Sequence, residues 1–126
     1  MLLELNELNR IAILLGGLLY MVYGGIYYSI LLGKKKEAGS QGSFKYIFSV
    51  LTAFISSFLI SILINAAGIE NFIAGTAIGF MIGLLISLVY IKNSLFGLLT
   101  KKSCIIAIGD HFVIFTLLGM LHGFMN

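Results

Sequence analysis

Apolar residues run through this chain in four long blocks, each closed by a short polar interval, and that pattern predicts four membrane-crossing helices. The first block, residues 11–32, carries no charged side chain. At about 1.5 Å per residue it is about 33 Å long, against a hydrocarbon core of about 30 Å. Residues 46–67, 72–91 and 103–124 form the second, third and fourth spans. The intervals are a Lys-rich loop from Gly33 to Lys45, a tight turn with Gly68, Glu70 and Asn71, and a second basic loop from Lys92 to Lys102. The expected fold is all-α, a single four-helix transmembrane bundle.

The leading residues, MLLELNELNR, hold Glu4, Glu7 and Arg10, and read as a short amphipathic helix at the interface or an extension of span one. They lack the basic leader, short apolar core and small-residue cleavage site of a signal peptide, so span one is expected to be retained. No Pro occurs, which disfavours transporter sites built on Pro-broken helices.

Composition narrows the class. Of 126 residues, 60% are hydrophobic and 10% charged, more apolar surface than a soluble domain of this size could hide. The net charge of +3 loses its nucleic-acid meaning once the Lys residues are located in the two loops. Loop one holds Lys34, Lys35, Lys36 and Lys45 against Glu37, while the turn after span two carries only Glu70. By the positive-inside rule both basic loops face the cytoplasm and both termini lie outside, a multi-pass cell-membrane topology in a bacterial inner membrane. That consistent bias argues against dual topology. The lone cysteine, Cys104, can form no intrachain disulfide and fits no metal-ligand spacing.

Helical spacing at 100° per residue sorts side chains into faces. In span three Gly75, Gly79, Gly83 and Ser87 recur every four residues, a small-residue ridge that permits close helix approach. Span two offers Ser49, Ala53, Ser57 and Ser61 at the same spacing, the expected partner for that ridge. Tyr27 and Tyr28 fall near the cytoplasmic end of span one and read as interface-belt residues, whereas Tyr20 is deep enough that its hydroxyl should find a partner inside.

Span four has two faces that both avoid lipid. Gly109, Phe112, Thr116, Gly119 and Gly123 make a mostly small stripe, and Asp110, His111 and His122 lie on nearly the opposite side. A peripheral helix could not hide both, so a homo-oligomer or another partner is expected against span four.

Asp110 is the candidate site. A charge in hydrocarbon costs at least about 2.5 kcal/mol and marks either a pathway or a buried polar tie. Counting equal depth along the spans groups Asp110 with Tyr23, Tyr27, Thr52, Ser56, Gly83 and Ser87, with His111 adjacent in sequence but about 100° round the helix. Such a layer suits a proton or small-solute pathway, since protonation or a bound cation neutralises the acid. Equally, Asp110 could pin the bundle by accepting hydroxyl hydrogen bonds in a non-transporting accessory protein whose Lys loops meet anionic lipid or a partner. His122, near the outer end, reads as interfacial. It lies about 16 Å along the axis from His111, so no metal site or cofactor is expected. Without a nucleophile and base, a phosphate loop or paired carboxylates, no enzyme is expected either.

At Gly25-Ile26-Tyr27-Tyr28-Ser29-Ile30-Leu31-Leu32-Gly33-Lys34 the chain resembles a family of small four-helix bacterial membrane proteins, domain of unknown function 1761. Members carry an aromatic-Tyr-Ser/Gly-Pro segment ending in Phe-Gly-Lys at the close of span one, and a last helix with spaced glycines, here Gly109, Gly119 and Gly123. This sequence has Ile30 where Pro is usual and Leu32 where Phe is usual. The resemblance covers nearly the whole chain and implies the four-helix architecture. It brings no activity.

Overall fold

A computed structural model describes residues 8–32 and 43–126. Four helices account for them: α1 Arg10–Leu32, α2 Ser43–Ala66, α3 Phe72–Leu95 and α4 Lys101–Met125. All four are long and apolar enough to cross a membrane. The expected leading helix over residues 1–7, and Lys34 to Lys36 with Glu37, lie outside the described residues.

Local chemistry sets each helix end. Asn9 accepts from the Ala12 N–H at 3.0 Å, Asn71 from the Ala74 N–H at 2.8 Å, and Thr100 from the Ser103 N–H at 3.0 Å. Each cap satisfies one of the backbone donors that a helix start leaves free, contributing about 1 kcal/mol. Gly68 (φ +71°) and Gly97 (φ +83°) end α2 and α3 in the left-handed conformation. Across them Ile69 N–H donates to the Ile64 carbonyl and Leu98 N–H to that of Asn93, the six-to-one closure of a Schellman turn.

These caps displace the expected boundaries. Span three does not stop at Ile91: the helix continues to Leu95, and Lys92 sits in its last turn, where a cation complements the helix dipole. Lys45, expected in the loop, lies in the first turn of α2.

The small-residue ridge of α3 packs against α4, not against the serines of α2 as the sequence suggested. A Cβ on Gly75 would run into the Gly119 carbonyl, one on Gly79 into that of Phe115, and one on Gly83 would stand 3.0 Å from the Phe112 Cα. Glycine facing glycine brings the two backbones closer than glycine facing serine could, which decides the pairing. Of the serine stripe, Ala53, Ser57 and Ser61 face inward and are buried, while Ser49 is exposed. Ile60 and Ile64 of α2 meet Ile114 and Leu118 of α4 in the buried cluster.

That arrangement makes α4 the central helix, in contact with the other three. Gly119 and Gly123 of its small-residue stripe are covered by α3, and its Asp110 and His122 are each buried within the chain.

Outside, the molecule is apolar. Ile30, Phe48, Ile73, Leu85 and Val89 are among the many large hydrophobic side chains that face outward, while the buried hydrophobic set is small. Water would penalise that surface and acyl chains do not, so the chain is a multi-pass membrane protein. Charges segregate by end: Lys45, Lys92, Lys101 and Lys102 lie at one end of the bundle, Arg10 and Glu70 at the other.

Candidate functional site

Three hydroxyls on α1 are stitched to α4. Tyr23 donates to the Gly109 carbonyl at 2.9 Å, Tyr27 to that of Ile106 at 2.7 Å, and Tyr28 to the Asp110 carboxylate Oδ2 at 2.7 Å. Gly109, read from sequence as part of the stripe facing another helix's small residues, instead receives Tyr27: a Cβ there would collide with the phenol oxygen. Tyr23 and Tyr27 are themselves stacked, their centroids 5.5 Å apart.

Asp110 is 5% exposed. A carboxylate can accept about four hydrogen bonds. Here Oδ2 takes the one from Tyr28, and Oδ1 is buried without a hydrogen-bond partner among the described residues. His111 does not supply it. Its Nδ1 lies 3.7 Å from Oδ2 and 2.8 Å from the Ala107 carbonyl, which can only accept, so the Nδ1 proton is committed to its own helix. The imidazole packs between Tyr90 and Phe115, at 5.3 and 6.4 Å.

Above Asp110 a cleft of about 590 Å³ opens between α1 and α2, with α4 as its floor. Its polar lining comes from Tyr20, Tyr28, Lys45, Thr52, Asp110 and His111, with Ser29 and Ser49 toward the outside. The cleft exists because α1 and α2 are in contact only over part of their length. Near Arg10 the Phe54 ring presses on Gly17 and Ser57 on Gly16, whereas Gly24 and Gly25 meet nothing within 4 Å.

Of the residues grouped by depth, Asp110, His111 and Thr52 line this cleft. Tyr23 and Tyr27 spend their hydroxyls on backbone carbonyls. Ser56 is half-buried on α2 and is not part of the lining. Ser87 lies on the ridge of α3, buried, with its hydroxyl on the Gly83 carbonyl of its own helix at 2.8 Å.

Tyr28 is the residue that sequence reasoning passed over, assigned to the interface because it lies near the end of span one. The signal was present in its hydroxyl, 100° round from Tyr27 and within one turn of the depth of Asp110. His122 is a second correction. It is 2% exposed, with Nε2 2.9 Å from the Ser57 hydroxyl, which donates to the Ile13 carbonyl at 2.8 Å. Since Ser57 has spent its proton on that carbonyl, the histidine Nε2 must be the donor. This knot ties α1, α2 and α4 together at the end opposite the lysines.

Among the described residues no group of three or more His, Cys, Asp or Glu side chains stands close enough to hold a metal ion. A family model described as a protein of unknown function (DUF1761) matches residues 11–123. No curated protein and no solved structure matches the chain.

Proposed function

We propose, from the premise that the chain belongs to the DUF1761 family, whose description assigns no activity, that it forms a pathway for a small solute or ion with Asp110 as its protonatable group. The observation that carries this reading is the unpartnered Oδ1 of a buried carboxylate at the floor of a cleft. A carboxylate kept to pin helices would have both oxygens bonded, because an ionised oxygen without a partner in a dry interior is costly. A carboxylate that exchanges a proton or a cation needs one oxygen free.

In this reading the two states of Asp110 differ in charge, and the Tyr28 hydroxyl holds the carboxyl in place by donating to Oδ2. Protonation or capture of a cation at Oδ1 removes the cost of the buried charge, so the two compete for one oxygen. Each copy of the chain carries its own cleft, so the proposal holds for a single chain or a homo-oligomer.

The test is proton flux in proteoliposomes under an imposed potassium diffusion potential, read with an entrapped pH dye. Asp110→Asn is expected to abolish protein-dependent flux while the helical content and elution profile are retained. Unaltered flux removes Asp110 from the mechanism.

A second reading has its own support in the lysines gathered at one end, which suit an accessory protein meeting anionic lipid. It gains if the native protein carries no flux and Asp110→Asn changes only thermal stability.

A further inference from the structure

The walls of the cleft differ in character from its floor. Met21, Tyr46, Phe48 and Val50 line it and are also on the outer surface of the bundle, at 36%, 54%, 60% and 38% exposure. Its side therefore opens onto the acyl chains and not only onto water. A molecule dissolved in the bilayer can enter between α1 and α2 past Gly24 and Gly25, which present no side chain to block it.

The floor selects for charge. Asp110 is the only carboxylate in the lining, and its free oxygen is the only unpartnered buried polar side-chain atom among the described residues. Around it stand the rings of Tyr20 and Tyr28, whose π faces attract cations. An inorganic cation such as calcium needs about six to eight oxygen ligands, which one carboxylate and a few hydroxyls do not supply. An organic cation brings its own apolar shell and needs only the single counter-charge and the aromatic walls. Lys45 lines the cleft from the first turn of α2, its ammonium 5.1 Å from the Tyr46 ring centre, and so opposes a second positive charge at that end.

We infer that the occupant of the cleft is a monovalent organic cation with an apolar body, taken sideways from the bilayer and neutralised by Asp110. This rests on the reading of Asp110 as an exchangeable acid and adds the class of molecule it exchanges for protons. The volume of about 590 Å³ falls within the range of drug-sized ligand sites.

Binding should weaken as pH falls, because only the ionised carboxylate attracts the cation. The titratable and charged groups around Asp110 are Tyr20, Tyr23, Tyr27 and Tyr28 from α1, Lys45 and Tyr46 from α2, Tyr90 from α3 and His111 beside it. Protonation of His111 would repel a cation in the same direction, so a His111→Gln variant separates the two: it should keep the pH dependence.

The experiment measures equilibrium binding of tetraphenylphosphonium to the full chain in nanodiscs, with empty nanodiscs as baseline and tetraphenylborate as the anion of equal shape. Saturable binding of the cation alone is expected, with affinity falling by at least about tenfold in Asp110→Asn, the loss of one charge-assisted contact. Gly24→Leu, whose Cβ meets no atom within 4 Å, should weaken binding without any loss of thermal stability. Equal binding of both ions, or unchanged affinity in Asp110→Asn, overturns the inference. Should the cation fail to bind while proton flux still depends on Asp110, this inference falls and the pathway stands. Binding through Asp110 without any Asp110-dependent flux leaves the cleft a binding site and ends the pathway reading.

Discussion

Tyr28 gives Asp110 its one hydrogen bond among the described residues, and the energetic weight of that bond differs from those of its two neighbours. Tyr23 and Tyr27 donate to carbonyls that already accept from their own helix, so losing either donor strands nothing. Losing the Tyr28 hydroxyl strands a buried carboxylate. Tyr28→Phe is therefore expected to destabilise the protein by about 1 to 3 kcal/mol, the cost of an unsatisfied buried group, and Tyr23→Phe by about 1 kcal/mol or less. The check is unfolding in mixed detergent micelles, with Asp110→Asn as the background of a double-mutant cycle. In that background the Tyr28→Phe cost should shrink, because the charge that needed the donor is gone. Equal costs for Tyr23→Phe and Tyr28→Phe would show that the carboxylate does not depend on the phenol. At this scale the acid was legible and its partner was not: a charge inside a 22-residue apolar run stands out in any reading, whereas Tyr28 could be told from an interface tyrosine only by knowing that α1 packs against α4.

The helices themselves were legible because length, hydropathy and four-residue spacing are properties of one segment at a time. Their pairing was not, since Ser49, Ala53, Ser57 and Ser61 repeat at the four-residue spacing of the α3 ridge, as a partner for it should, and the distinction lies in how closely two backbones approach. The contact of α3 with α4 settles it with carbonyls against Cα atoms, which leaves no room for a methyl group. Gly119→Ala should accordingly destabilise by about 1 to 3 kcal/mol through overpacking. Gly25→Ala should do the reverse. Its new methyl meets nothing, and replacing a helix-interior glycine relieves about 0.5 to 1 kcal/mol of backbone entropy cost. Opposite signs for two identical substitutions, measured as shifts in melting temperature in one detergent, are the expected result; two shifts of the same sign would mean that the α3–α4 contact is looser than described. The glycine ridge thus belongs to architecture, and the cleft to the place where α1 lacks side chains and α2 has moved away.

For the molecule as a whole, the two hairpins α1–α2 and α3–α4 lie antiparallel within themselves, with the Asn9 amide on the Met125 carbonyl at 2.8 Å holding the first and last helices together at the Arg10 end. This geometry puts the turn at Gly68 and the turn at Gly97 on opposite faces of any bilayer that the bundle spans. We propose that the Gly97 turn is the cytoplasmic one, because Lys92, Lys101 and Lys102 flank it while Glu70 flanks the Gly68 turn, the bias the positive-inside rule describes. In a variant with Cys104→Ala, a cysteine introduced by Glu70→Cys should react with a membrane-impermeant maleimide on intact cells. One introduced by Leu98→Cys, 74% exposed in its turn, should react only after permeabilisation. The reversed pattern would refute the orientation but keep the bundle. Labelling of both from one side would refute the bundle, since no arrangement of a 24-residue apolar α3 across the membrane leaves its two ends together. The proposed orientation would also give the proposed exchange a direction, because the cleft reaches Lys45 and thus the same end as the Gly97 turn. Protons reaching Asp110 along the cleft would then come from the cytoplasmic side, and the barrier to the far side would be the packed Ile60, Ile64, Ile114 and Leu118 cluster.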